Sequence, residues 1–139
     1  MLVVGLIILL ILSLLGVQAM RSNVLQERMA GNMRERNVAF QAAEAALRLG
    51  EVSGPFNAPS PALAGDLANW DGTGASGVVP DFDAAVSAEP QFHVGPPQAI
   101  RIGISLPPKF RYIYPTTARG VGGQPTSVVV VQSIYEPFN

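Results

Sequence analysis

Few residues in this chain have the chemistry of a catalytic or metal site, and a histidine is the first candidate. His93 lies in the sequence Gln-Phe-His-Val, residues 91–94, and the chain of 139 residues contains no second histidine and no cysteine. A typical zinc site or a Cys–His pair needs at least one more such residue. We therefore interpret His93 as a packing residue at a strand edge, and we predict no enzymatic activity, no metal site and no cofactor.

Aspartates supply a second candidate, as oxygen ligands for calcium. Asp66, Asp71, Asp81 and Asp83 lie in segment 51–97, which has no lysine or arginine, and Asp71 begins an Asp-Gly-Thr-Gly turn. Their spacing does not match the loop of an EF-hand. We interpret them as a solvated acidic surface and keep calcium binding as the alternative.

Segment 120–125 is rich in glycine, which is also typical of phosphate-binding loops. It reads Gly-Val-Gly-Gly-Gln-Pro, without the lysine and Ser/Thr of such a loop, and it joins two strand-like runs. The segment is therefore predicted to be a hairpin turn. From residue 51 onward the chain has four basic against seven acidic residues, so no nucleic-acid partner is predicted.

The element that must organise the chain is an N-terminal helix. No residue from Leu2 to Met20 is charged. An uncharged run of this length is typical of a helix that crosses a bilayer core. Residues 21–50 then interleave charged and apolar residues without a proline, so one continuous helix is predicted to end at Gly50.

Composition divides the chain into four segments. They are the apolar half of the helix, 1–20; its amphipathic half, 21–50; a Pro/Gly-rich connection, 51–97; and an antiparallel β-sheet, 98–139. Short helical turns are predicted near 61–70 and 81–88. Three alternating runs after residue 97 predict a three-stranded meander, with Pro115 interrupting the middle run. The expected fold class is α+β.

Two features inside the helix carry further expectations. Gly16 and Gly31 each weaken a helix by about 1 kcal/mol relative to alanine, so both are predicted weak points, with close helix packing as the alternative. Phe40, Ala43 and Leu47 recur at the three- and four-residue spacing of a buried helix stripe. We predict that the sheet packs against these three residues.

The helix resembles the N-terminal signature of PilX-type minor pilins. The resemblance is carried by Leu14-Leu15-Gly16, Arg21, Glu27-Arg28-Met29-Ala30-Gly31-Asn32, Arg34, Arg36 and the run 39–48. The turn 117–120 and the strand-like run 128–135 are similar to the C-terminal strands of the same group. The resemblance implies a type IV pilin-like fold, in which a long N-terminal helix carries a small antiparallel sheet on its distal half.

The same resemblance implies partners and a location. Pilin helices lie in the bacterial inner membrane as single-pass segments before assembly and in the core of the extracellular fibre afterwards. The expected partners are other pilin subunits through their N-terminal helices, the pilus assembly platform and, as an open option, a tip adhesin. The fibre-core residues would be Leu2, Val3, Val4, Leu6, Ile7, Ile8, Leu9, Leu10, Leu12, Leu14 and Leu15.

The resemblance also predicts how the start of the chain is processed. Arginines that follow the apolar run would lie in the cytoplasm by the positive-inside rule. Pilin precursors carry a basic leader that a prepilin peptidase removes before it methylates the new N-terminus, and such a leader would reverse the orientation. Met1 is therefore expected to be an N-methylated mature terminus.

One departure from the family pattern bears on function. Major pilins generally carry a glutamate five residues into the mature chain, whereas this chain has Gly5 and no acidic residue before Glu27. Its absence fits a specialised subunit at the tip, and we predict a minor pilin that primes or caps the fibre; cell adhesion is a separate expectation from the resemblance. The alternatives are a repeated fibre subunit, a type II secretion pseudopilin and, from another class, a membrane-anchored envelope domain that binds a ligand.

Overall fold

The computed structural model describes residues 2–54, 56, 59–63 and 65–137. The chain forms two compact units, Met1–Arg34 and Glu35–Asn139. Within its described residues, the first unit is helix alone. The second unit, called the head here, combines the C-terminal part of the same helix with an antiparallel sheet and its loops.

The helix α1 is unbroken from Leu2 to Ser53. It runs three residues past Gly50, so the prediction that Gly50 ends the helix was wrong. A Cβ at Gly50 would lie 3.0 Å from the Phe92 ring and 3.1 Å from the Thr116 methyl group. Gly50 is therefore a packing residue, and its contacts with the sheet offset the helix-forming cost of about 1 kcal/mol.

Among the residues that the structure describes, five strands form the sheet, and all paired strands are antiparallel. The three predicted runs appear as β3, β4 and β5, which pair in the order of a meander. Two further strands precede them. The bounds are β1 Gly77–Val78, β2 Gln91–Val94, β3 Gln98–Ile102, β4 Lys109–Val121 and β5 Val128–Tyr135.

Strand β4 is the central strand, with which β2, β3 and β5 all pair. Its C-terminal part pairs with β2 (Val94 opposite Thr116), and its N-terminal part pairs with β3 (Gln98 opposite Ile113). Pro115 does not interrupt β4, contrary to prediction. Its carbonyl accepts a hydrogen bond from Gly95 N at 2.9 Å, where β2 ends, so the missing N–H of proline faces a gap in the ladder.

Segment 51–97 holds more regular structure than a connection. It contains β1, β2 and a 3-10 turn at Leu67–Asn69 that falls within the predicted turn 61–70. The sheet therefore begins before the predicted boundary at residue 98. Segment 81–88, where a short helical turn was predicted, forms turns and no helix, and Asp83 accepts a hydrogen bond from the Ala85 amide at 2.9 Å.

Small residues bring the helix close to the sheet. A Cβ at Gly120 in β4 would overlap the carbonyl of Ala39 and the amide of Ala43. No bulky side chain separates the backbones of α1 and β4 at Gly120. Strand β4 therefore crosses α1 at a distance that only glycine and alanine permit. The buried helix face consists of Ala39, Ala42, Ala43, Ala46, Leu47 and Gly50.

Candidate assembly site

His93 is a structural residue buried in β2. Only 3 % of it is exposed. Its Nδ1 lies 2.8 Å from the Gly74 carbonyl, so this nitrogen carries the donating proton. The ring meets Trp70 edge to face at 6.1 Å, and Trp70 Nε1 donates to the Thr73 carbonyl at 2.9 Å. Together these contacts hold loop 70–74 against β2.

The aspartates build turns. Asp66 accepts a hydrogen bond from Ala68 N at 3.0 Å and caps the 3-10 turn, and Asp83 binds Ala85 N as described above. In the part of the chain that the structure describes, no group of three His, Asp or Glu side chains is placed to hold a metal ion. The carboxylates of Asp66 and Asp83 therefore each accept a hydrogen bond from an amide of their own loop.

Asp71 shows how such a turn is stabilised. The Thr73 backbone N–H donates to the Asp71 carboxylate at 2.8 Å. This bond, followed by a second one from the Thr73 hydroxyl, holds the pKa of the carboxyl below its usual range. Because the pKa is lowered in the folded chain, the turn keeps this stabilisation until the pH falls through that lowered value.

The predicted fibre-core residues are uncovered in the chain. The eleven side chains from Leu2 to Leu15 named above are between 51 and 84 % exposed. Burying a fully exposed large aliphatic side chain contributes about 1.5 to 3 kcal/mol, so covering the surface that these partly exposed residues still present would contribute about 10 to 20 kcal/mol. That is as large as the net stability of a typical domain, about 5 to 15 kcal/mol. A lipid or protein environment for this segment is therefore strongly favoured over water.

The helix is long and apolar enough to cross a membrane. Its most apolar window of 18 residues has a mean hydropathy of 2.7, and none of that window is buried in the chain. Gly16 and Gly31 lie in regular helix, and beyond the adjoining helix backbone a Cβ at either position would meet no atom of the described residues within 4 Å. Met1, the predicted modified terminus, lies outside the described residues.

Two of the three predicted packing residues lie on the buried helix face. Ala43 is fully buried and Leu47 is 8 % exposed, but Phe40 is 47 % exposed and lies beside that face. The close crossing at Gly120 leaves no room for a phenylalanine, so alanines take the central positions. The run of alanines in 39–46 was the available sequence signal, since small residues allow close approach.

Glu35 is a residue that the sequence did not single out. Its Oε2 accepts a hydrogen bond from Gln124 N at 3.1 Å, in the turn between β4 and β5. A Cβ at Gly122 in the same turn would lie 2.8 Å from the Glu35 carbonyl. The glycines that indicated a hairpin thus also let this turn lie directly against the helix.

The arrangement defines a class of protein. One long N-terminal helix, apolar and exposed at its start, carries an antiparallel sheet on its later residues, and this is the α+β arrangement of type IV pilin-like proteins. Residues 1–48 match the family model described as PilX N-terminal. This match supports a type IV pilin-like protein of the PilX family, and it ends within the helix.

The remaining comparisons find no relative for the head. No curated protein matches the chain, and no solved structure matches it. The family is a structural pilin family. Association with other pilus subunits follows from that family, and the apolar helix fits a membrane-anchored pilus component.

Proposed function

We propose that this chain is a minor pilin, a structural subunit that primes or caps assembly of a type IV pilus. The observation that carries the proposal is the uncovered apolar helix from Leu2 to Leu15, within the residues that match the PilX N-terminal family. Before assembly, the chain is a single-pass protein of the inner membrane. The assembly platform then lifts it out, and helices of neighbouring pilins replace the lipid around its apolar residues.

The uncharged apolar run supports a specialised place in the fibre. A glutamate near the start of the helix in major pilins is expected to pair with the N-terminal amine of a neighbour. No residue from Leu2 to Met20 carries a carboxylate, so none of these residues can make that pair. A subunit at the end of a fibre has one neighbour fewer, and the missing pair is least costly there. The N-methylated Met1 and any contact with a tip adhesin belong to the same proposal.

The test is the distribution of the protein after shearing of cells. We expect an epitope-tagged chain to be recovered with the sheared surface fibres, in a small ratio to the major pilin. Deletion of its gene is expected to lower the number of pili per cell while those that form keep their length, because priming limits initiation. Protein that stays entirely with the membrane after shearing would instead indicate the envelope-anchored alternative.

A second prediction concerns the helix in the fibre. We propose that α1 bends or unwinds near Gly16 and Gly31 when lipid neighbours are exchanged for pilin helices, since glycine weakens helix at each position by about 1 kcal/mol. Cryo-electron microscopy of fibres that contain this subunit should locate a break at one of the two positions. Density with unbroken helix through both glycines would contradict this proposal.

A further inference from the structure

The hairpin formed by β3 and the first part of β4 is an uncovered surface. We call residues 98–113 the distal hairpin. Every residue of β3 is exposed, and at the tip Ile104 and Leu106 are 94 and 91 % exposed. Two-stranded ribbons are marginally stable in water, and apolar surface of this kind marks a contact site. Four more of its large apolar residues are 41 to 54 % exposed: Ile100, Ile102, Phe110 and Tyr112.

Positive charge alternates with these apolar residues. The register places Arg111 opposite Ile100, Lys109 opposite Ile102 and Arg101 opposite Phe110, so both faces of the ribbon carry a cation. Residues 98–113 contain no acidic residue. Arg111 pairs with Glu136 at 3.4 Å, whereas Arg101 and Lys109 have no ion pair with the residues that the structure describes.

A surface of opposite charge lies elsewhere in the head. We call it the acidic cleft, an open depression of about 430 Å³. It combines three carboxylates with apolar side chains, which is the complement of the distal hairpin. Its lining consists of Asp81, Phe82, Asp83, Ala84, Val86, Ser87, Ala88 and Glu89.

The two surfaces lie at opposite ends of β4. The distal hairpin contains Lys109, the first residue of that strand. The acidic cleft is held next to its last residue, because the Ser87 amide and hydroxyl both donate to the Gly122 carbonyl, at 2.8 and 2.9 Å. A strand of 13 residues is about 40 Å long at roughly 3.3 Å per residue. The hairpin therefore cannot reach the cleft of its own chain.

We propose that the distal hairpin docks into the acidic cleft of a second copy of this chain. The apolar tip enters the cleft, and Arg101 and Lys109 face its carboxylates. Because the two surfaces differ, the contact is heterologous and leaves a free hairpin and a free cleft on the pair. Such a contact adds further copies in one direction instead of closing a two-fold dimer.

This inference deepens the proposed function and rests on it, since a repeating head contact is useful to an assembling subunit. Priming of a fibre requires a first contact between subunits, and the distal hairpin and the acidic cleft provide that contact. The two proposals fail differently. If the pilus assignment is wrong, the protein is missing from sheared fibres. If only the docking is wrong, the protein reaches the fibres but its hairpin and cleft do not meet.

Cysteine cross-linking of the full-length chain in detergent tests the contact, because the chain has no native cysteine. Ser105→Cys lies in the hairpin turn, Ala88→Cys lines the cleft, and both positions are exposed. Under mild oxidation we expect a disulfide-linked dimer when the two variants, carrying different tags, are mixed. Each variant alone should stay monomeric, and the double variant should form a ladder of oligomers. Gln132→Cys, at an exposed position of β5, replaces Ser105→Cys in the matched control.

Other outcomes of this experiment would overturn the proposal. A dimer of Ser105→Cys with itself would indicate a two-fold contact, and equal yields with Gln132→Cys would indicate chance collision in the micelle. An anionic membrane is the competing occupant of a basic, apolar ribbon. In that case Ser105→Cys becomes protected from a water-soluble maleimide in vesicles with anionic lipid, and no mixed dimer forms.

A charge exchange tests the electrostatic part of the contact. Lys109→Glu in the hairpin and Glu89→Lys in the cleft should each lower the cross-linked fraction, by about fivefold if an exposed ion pair is lost. When one member of the mixed pair carries Lys109→Glu and the other carries Glu89→Lys, most of the cross-linked fraction should be restored. Recovery is the decisive readout, because general damage to folding would not be repaired by a second substitution. A combined variant that stays as low as the single ones would contradict the proposed pairing.

Discussion

Replacing Ile8 by arginine is expected to remove the protein from both the membrane and the fibre. Ile8 lies in the middle of the uncharged segment and is 54 % exposed in the chain. An arginine at the centre of a membrane helix costs about 2.5 to 3.5 kcal/mol on insertion scales, which corresponds to a factor of roughly 70 to 400. Alkaline extraction of membranes measures the inserted fraction, and immunoblots of sheared fibres measure assembly.

Two variants serve as controls for this result. Ile8→Leu keeps the apolar volume and should behave as the unmodified chain. Gln18→Arg adds the same charge near the end of the segment, where a long side chain can reach the membrane surface, so most of the protein should still insert. Normal membrane insertion and normal pili in the Ile8→Arg strain would contradict the assigned role of the helix.

Substitution of Gly120 by alanine is expected to unfold the head at a much lower temperature. The new Cβ would overlap the carbonyl of Ala39 and the amide of Ala43, and both are backbone atoms of a continuous helix. Neither atom can rotate away, so α1 and β4 must separate along the whole buried face. Overpacking of this kind costs about 3 kcal/mol, which lowers the Tm of a domain of this size by roughly 10 °C or more.

The single tryptophan reports on this transition. Trp70 is 7 % exposed and belongs to the head, so its fluorescence follows unfolding of that unit alone. Gly31→Ala is the matched control, because beyond the adjoining helix backbone a Cβ there meets no atom of the described part of the chain within 4 Å. It should leave the Tm of the head unchanged while it stabilises the helix locally by about 1 kcal/mol. An unaltered Tm in Gly120→Ala would mean that α1 and β4 are not in close contact.

The helix and the later strands were largely predictable because their signals are local. An uncharged run, an absence of proline and alternating residues act on the chain within one or two turns or along one strand. Predictions from these local signals were wrong at Gly50, which does not end the helix, and at Pro115, which does not interrupt β4. Gly50 is kept in the helix by Phe92 and Thr116, and the ring of Pro115 is tolerated because β2 has ended at that point.

The packing face was less predictable because volume alone does not decide which residues are buried. Phe40 is the largest apolar residue of the expected stripe, yet it is exposed, and Ala39 and Ala42 are fully buried. The reason lies in the partner strand, where Gly120 brings two backbones together. Strand β1 was missed, and β2 was indicated only by the interpretation of His93, for a related cause: both strands are short, and their pairing depends on residues far along the chain.

By itself the sequence determined that an uncharged N-terminal helix leads into a small α+β protein, because hydropathy and helix-breaking residues act over short distances. Only the tertiary structure decided which face of α1 meets the sheet and that the distal hairpin and the acidic cleft lie at opposite ends of β4. These features depend on how closely backbones approach and where a long strand begins and ends. Residues 39 and 120 are distant in sequence, and only folding brings them together.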